Sequence, residues 1–545
     1  MRMIRRAWSS PVALLLVAVA LLTVMIQSGE LGTADTTRRL TVTHSLWTSA
    51  PQVTQADYAE FGSVGRGGKI YAWYGIGQSL LMLPADMVGT AAAHAPWWRT
   101  YVQSRVTPQI RGIVVSVSTN VLLNVLTALV ALRFLALLGF SRVQSIAGTL
   151  ALILATTHLH YAQNMQENNY IFLLTLTGLW LQLRWAKTGD RKALLWGAGA
   201  LGLNLLTRVT TALDLIGVAI FLLLVGGFAS ASGEDSMRAE LLSARRVKEY
   251  LRTVVPVYVV FVFLDRLYQF LRFGSWTSTY MRLQAERLMQ LDPTLPKNFP
   301  FSGYWFQGGV HSGLLGPLFE PEKSIFVFDP LFGLALVLMV VLWRRMPAAV
   351  RAYAVAMLVL LAAYIVFYAR YFAWAGDFAW GDRYISSVVE LFALLAVPLL
   401  LRFGRDLGRV VTVCGWCAVA AAVAIQVASL AFWLPLEIYQ IDAMGHDAWT
   451  VALRFRNVWE LARGWPMPAG IDLPGAVADS FDALHVRTWN FMPALMGHVG
   501  VAPMWVVQLL DAVWVVVAVV LVCVIVRIVR LLRRLDYAVE KLTVQ

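Results

Sequence analysis

PVALLLVAVALLTVMIQ, residues 11–27, is apolar from end to end and long enough to cross a bilayer. A polar stretch carrying Glu30 and Asp35 follows it at once. The chain then returns as GRGGKIYAWYGIGQSLLMLPADMVG, residues 65–89. This is one lysine, Lys69, then an aromatic cluster, then a hydrophobic segment interrupted by Pro84 and Asp86. Carboxylates just beyond a first span, followed by a lysine and a membrane-skimming segment, put polar chemistry at the lipid–water boundary. An enzyme can use that arrangement, whereas a simple channel has little need of it.

Outward from this stretch the whole chain has the same character. It is 59% hydrophobic and 14% charged, with mean hydropathy +0.64, where soluble chains carry about 25% charged residues. About twelve segments read as spans: 11–27, 112–138, 144–161, 169–186, 192–207, 210–227, 253–271, 325–342, 349–371, 384–402, 409–434 and 501–528. The expectation is an all-α polytopic membrane protein. A net charge of +13 would suit a nucleic-acid binder. The basic residues instead gather at alternate segment ends, such as Arg245, Arg246, Lys248, Arg344, Arg345, Arg402, Arg405, Arg530 and Arg533. That is the positive-inside pattern, and no nucleic-acid partner is expected. It sets a cytoplasmic N-terminus with 11–27 as a retained signal-anchor, in a multi-pass inner (plasma) membrane protein.

The parity holds only if 75–92 does not cross, so that segment is expected to be interfacial or re-entrant. Outer loops then cover 28–111, 162–168, 272–324, 372–383 and 435–500, and 228–252 reads as a basic amphipathic helix on the inner leaflet. Residues 1–434 make one catalytic-type module, and 435–545 add an outer loop, a last span and a basic tail. Cys414 and Cys417 form a CxxC inside an apolar span, where they are two small residues one turn apart, and Cys523 lies in another span.

The polar groups pool on the outer face. Asp35, in DTTRRLTVTHSLWT, is a candidate catalytic acid with a competing role as a helix N-cap. Lys69 and Arg383 are outer-face cations that either snorkel to headgroups or hold a phosphate. Glu30, His160, Glu167, Asn168, Tyr71, Tyr74 and His311 are candidate ligands for a sugar or an acceptor. Asp35, Glu167 and His160 are candidate ligands for a divalent ion, Mg or Mn. The greasy, irregular stretch 298–330 is a candidate wall for a lipid-tail or acceptor groove. Arg208, Asp214, Asp265, Arg266, Glu390 and Asp511 lie in or near spans, where charges are functional suspects.

Taken in order, Asp35 after the first span, GGKIYAWYGIGQSLLMLPADMVG, GLLGPLFEPEKSIFVFDP and WAGDFAWGDRYISSVVELFALLAVP resemble the GT-C superfamily of integral-membrane glycosyltransferases. The nearest likeness is to the bacterial branch of protein O-mannosyltransferases and the lipid A aminoarabinose transferase, over most of residues 1–405. The resemblance implies a polyprenyl-phosphate-linked sugar as donor and an extracytoplasmic active site. It implies Asp35 as general base, Lys69 and Arg383 on the donor phosphate, and Glu167 as a second acid. Some relatives carry adjacent Asp-Glu in the first loop, whereas Thr36 follows Asp35 here. The acceptor, whether glycan, lipid or protein, stays open, as does the sugar. The competing readings are a transporter or lipid-linked sugar flippase, for which paired repeats and mid-membrane helix breaks are missing from the sequence, and a non-catalytic scaffold.

Overall fold

The first apolar segment forms α1 (Pro11–Ile26), capped by Ser10 and opened by Pro11. The computed structural model describes residues 10–54, 58–94, 109–231, 243–303, 312–376, 378–432, 435–463, 488–499 and 504–544. After α1 comes α2 (Ala34–Ser45). Its N-cap is Thr33, whose hydroxyl accepts from the Thr36 amide at 3.2 Å. This corrects the expectation of Asp35 as cap. Asp35 sits inside the first turn, and its carboxylate is available to more distant partners.

A two-stranded antiparallel hairpin follows, β1 (Gly62–Val64) and β2 (Ile70–Ala72), with Ser63 opposite Tyr71. Its turn carries Gly67 and Gly68 at φ 68° and 70°, a left-handed geometry that glycine adopts without strain. Next is α3 (Gly77–Ala93), the segment expected to stay out of the bilayer. It packs between α2 and α4 (Ile110–Leu137). Asp86 clamps the three together: its carboxylate accepts from His44 at 3.0 Å, Trp47 at 2.8 Å and Arg111 at 2.5 Å.

The remaining helices are α5 (Arg142–Ala155), α6 (His158–Gln163), α7 (Glu167–Thr188), α8 (Arg191–Leu205), α9 (Ala212–Ala231), α10 (Ala244–Phe273), α11 (Tyr280–Leu291), α12 (Pro330–Leu342) and α13 (Ala348–Tyr368). They continue as α14 (Ser386–Ala393), α15 (Ala396–Phe403), α16 (Arg409–Ser429), α17 (Pro435–Met444), α18 (Thr450–Ala462), α19 (Met492–Val499) and α20 (Met504–Val544). The described residues are therefore all-α apart from the hairpin. Among the described residues seven helices are long and apolar enough to cross a membrane, and Pro11–Ile26, Arg142–Ala155 and Pro330–Leu342 are shorter apolar helices.

Three expected boundaries move. The basic stretch before residue 253 is not a separate helix where it is described. From Ala244 it is the first part of the continuous 30-residue α10, because the only breaker on the way, Pro256, is accommodated inside the helix. The segment 144–161 stops at Ala155, where Thr156 is extended, and resumes as α6. The segment 384–402 is interrupted between α14 and α15.

Burial separates a core from a lipid-facing rim. Phe134, Phe221 and Tyr353 meet edge-to-face, with centroids 5.0–6.4 Å apart, at the junction of α4, α9 and α13. A second core joins α1 and α20 through Leu14, Leu15, Val19, Leu521 and Val524. Outside these, α10, α16 and α20 expose apolar side chains such as Val260, Phe263, Val410, Val413, Val516 and Val519. Continuous apolar outer faces on long helices are what a hydrocarbon surround requires.

Candidate functional site

The ends of several helices converge on one cavity of about 540 Å³. It is lined from the first turn of α2, the loop after β2, the start of α7, the α8–α9 link, the last turns of α10 and α13, the length of α11, and the loop before α14. The long helices α7, α10 and α13 reach it by the ends opposite their basic stretches at Lys187, at Arg245, Arg246 and Lys248, and at Arg344, Arg345 and Arg351. Close packing builds the wall: a Cβ on Gly75 would lie 2.5 Å from the carbonyl oxygens of Leu206 and Thr207, and the Gly77 amide donates to Leu206 at 2.8 Å. Only glycine permits that approach.

One end of the cavity is charged. The Asp35 carboxylate accepts from the Tyr74 hydroxyl at 2.8 Å and from Arg383 Nη1 at 3.0 Å. Glu167, at the start of α7, is held on both oxygens, by Arg39 at 2.5 Å and by Arg208. Arg39 lies one helical turn beyond Asp35 on α2, on the same face. Aromatic rings back the guanidinium groups. Arg39 lies 4.6 Å from the Tyr74 ring centre, and Arg208 and Arg383 lie 5.2 and 5.1 Å from that of Tyr384. Tyr384 stacks on Tyr368 at 4.5 Å, and Tyr74 on Tyr280 at 5.9 Å. Planar rings fix these arginines more tightly than hydrogen bonds alone would.

The electrostatics follow from this crowding. Burial pushes the Asp35 pKa up, but Arg383 and Arg39 outweigh it and hold the carboxyl below its usual value. Burial likewise opposes ionisation of Glu167, and Arg39 and Arg208 override it by a wider margin. Tyr74 is driven well above the ordinary phenol value, by burial first and by the Asp35 charge second. At neutral pH the arrangement is therefore two carboxylates, three guanidinium groups and a neutral phenol.

The other end is mostly apolar. Leu205, Leu213, Met281, Ala285, Met289, Phe299 and Pro300 line it. Val209, Phe301 and Phe367, which also line it, are more than a third exposed. Arg282 and Glu286, an ion pair at 2.7 Å on α11, also line it and are exposed, so the cavity opens outward past both apolar and charged side chains.

Of the residues picked from the sequence, Asp35, Tyr74, Glu167 and Arg383 come together here. Asn168 stands behind them: its amide donates to the Arg383 carbonyl and to Ser386 Oγ, each at 2.6 Å, and so holds the base of the loop. Lys69 is not among the lining residues. It is exposed at the hairpin turn, because the β1–β2 register directs it away from the bundle. Tyr71 packs edge-on to Phe273 outside the lining, and Glu30 lies half-buried on the turn ahead of α2. His160 is buried and stacks on Trp380 at 5.7 Å, away from the cavity. His311 lies outside the described residues.

Among the described residues no three His, Cys, Asp or Glu side chains gather as a cation site. Both Glu167 oxygens are taken by arginines and His160 faces Trp380, so Asp35, Glu167 and His160 do not fit a shared divalent ion. The cysteines are unpaired and exposed on α16 and α20. Of the other suspect charges, Glu390 accepts from Thr157 and faces His158, while Asp214 accepts from Thr175 and Tyr364. Asp511 is exposed on α20.

The sequence did not single out Arg39, Tyr280, Tyr368 or Tyr384 for the cavity. For Arg39 a signal was present, since it follows Asp35 at helical i,i+4 spacing. No family model matches this chain, and no curated protein matches it.

Proposed function

We propose that the protein is a GT-C-type membrane glycosyltransferase. In this reading it moves a sugar from a polyprenyl-phosphate donor to a hydroxyl acceptor on the face of the membrane opposite its basic helix ends. One observation carries the reading: a single cavity joins the carboxylate–arginine cluster to a run of apolar lining residues, of which Val209, Phe301 and Phe367 are exposed along with the Arg282–Glu286 pair. A donor with a charged phosphosugar head and a long hydrocarbon tail matches that polarity along its length.

The chemistry assigned to the residues is direct displacement. The acceptor oxygen bonds to the anomeric carbon as the bond from that carbon to the phosphate oxygen breaks, which inverts configuration. The acceptor proton passes to the Asp35 carboxylate. The phosphate gains negative charge as it leaves, and Arg383 and Arg208, both within 5.2 Å of the Tyr384 ring centre, are placed to stabilise it. Arg383 is the link between the two halves of the step. It bonds Asp35 in the structure, and a phosphate that draws it away would relieve the charge that holds the Asp35 pKa down. Lys69, out on the hairpin, has no step in this scheme.

The test is donor turnover by purified protein in nanodiscs, with a panel of labelled polyprenyl-phosphate sugars, beside Asp35→Asn. Consumption of one donor by wild type alone supports the reading. Consumption of none, with source membranes added as acceptor, returns the weight to transport or scaffolding.

A further inference from the structure

The scheme above leaves two buried polar side chains in the cavity unused. Asp265 and Gln269 lie one turn apart on α10, both line the cavity, and they are 5% and 3% exposed. Asp265 is eight residues from the end of α10, roughly 12 Å along the axis at 1.5 Å per residue. A carboxylate that far down an apolar helix is costly and calls for a reason.

Their partners inside the protein account for half of each group. Asp265 Oδ2 takes both bonds from Arg266, which in turn donates to the carbonyls of Trp276 and Ser278 and ties α10 to the link that leads into α11. Gln269 Oε1 accepts from Arg272 at 3.0 Å, and Arg272 also donates to the carbonyls of Ala72 and Tyr74. That leaves Asp265 Oδ1, an acceptor, and Gln269 Nε2, a donor, without a partner among the described residues. Neither atom is sealed inside the protein; both are open to the cavity, so a ligand entering it can take the place of the water that pairs with them.

The pair offers one acceptor and one donor at i,i+4 spacing. A hydroxyl both donates and accepts, and neighbouring ring hydroxyls can bridge two such groups. A phosphate would be repelled by Asp265, and an apolar tail would leave both atoms unpaired. Tyr74 connects this pair to the charged end: its hydroxyl bonds Asp35 while its carbonyl bonds the arginine that holds Gln269.

We propose that Asp265 and Gln269 form a subsite for the hydroxyls of a sugar ring, separate from the arginines. The proposal rests on the glycosyltransferase reading for where the sugar comes from, either the donor or a glycan acceptor.

The test measures binding, not turnover, with the full chain in nanodiscs. The probes are bare polyprenyl phosphate, polyprenyl-phosphate mannose, glucose and arabinose, and the methyl glycosides of the same sugars. Asp265→Asn and Gln269→Glu each keep the bond inside the protein and invert the polarity of the atom facing the cavity. Melting curves matching wild type establish that the variants fold. In wild type, one sugar-bearing lipid should bind more tightly than the bare lipid, and in both variants that ratio should fall about tenfold. If the ratio stands while methyl-glycoside binding falls about tenfold, the subsite takes the acceptor's sugar. If both stand, the subsite is overturned. If wild type binds no polyprenyl phosphate at all, the donor reading fails, and the methyl glycosides still decide the subsite.

Discussion

Glu167→Gln should destabilise the protein strongly, and through a specific pair of partners. Glu167 accepts from Arg39 on α2 and from Arg208 ahead of α9, so one carboxylate pins two elements to α7. The Glu167 and Arg39 side chains are 5% and 7% exposed, and Arg208 is 17% exposed. Removing one partner of a pair this buried leaves an uncompensated charge, which costs about 3–5 kcal/mol. The greater exposure of Arg208 and the acceptor that glutamine keeps put the expectation at the lower end, about 3 kcal/mol. Unfolding in mixed micelles measures it, with Arg39→Gln and the double variant completing a cycle. The coupling should be well above the ~0.5 kcal/mol seen for independent sites. Additive effects, or a Glu167→Gln protein as stable as wild type, would refute the clamp. The pH dependence carries the same sign. Glu167 has a depressed folded pKa, so its contribution is complete above the unfolded value of about 4.3 and is lost only as pH falls through the lower folded value. Between pH 5 and 8 the clamp should be flat.

The remaining predictions concern three other carboxylates. Under the proposed function Asp35→Asn should lower turnover per folded molecule by ~10²–10⁴-fold, with melting lowered as well because Arg383 loses a buried partner, and a smaller loss of turnover would remove Asp35 as the base. Burial pushes the Asp382 carboxyl up to about 7, against hydrogen bonding from the Tyr384 amide and the charge of Lys323. Its folded pKa is raised, so stability should be greatest below about 4 and fall as pH rises toward 7, and Asp382→Asn should flatten that slope in pH-dependent melts. Asp86→Ala removes the acceptor for His44, Trp47 and Arg111. It should cost about 3 kcal/mol and speed proteolysis of residues 28–54, and unchanged proteolysis would show that α2 is held by other contacts.

What could be read from the sequence divides along physical lines. The apolar runs are helical, because hydrocarbon demands satisfied backbone, but of the twelve expected spans only seven are long and apolar enough to cross among the described residues. Helix breaks were not legible, since Thr156 and the α14–α15 junction interrupt runs whose hydropathy is unbroken. In the site, the first-loop carboxylate and the late-loop arginine stood out as charges in a sparsely charged chain. They lie 348 residues apart, and only tertiary packing brings them within 3.0 Å. Lys69 stood out for the same reason, yet a two-strand register places it outside the cavity lining. Tyr280, Tyr368 and Tyr384 were invisible because 18 tyrosines are scattered through the chain, and nothing local separates Tyr384, close to two arginines, from an interfacial anchor.

The charge balance of the cavity bears on why the acids are paired at all. Arg39, Arg208 and Arg383 face Asp35 and Glu167, which leaves one excess positive charge among these five groups. Three unpaired guanidinium groups in a mostly apolar cavity would carry a large desolvation cost and would hold any anion too tightly to release. Glu167 lowers that cost permanently, because both its oxygens are engaged. Asp35 lowers it only while it keeps Arg383. A phosphodiester brings a single negative charge, which matches the excess. Under the proposed function the two carboxylates divide the work: Glu167 sets the geometry of the arginines, and Asp35 exchanges its arginine for a proton.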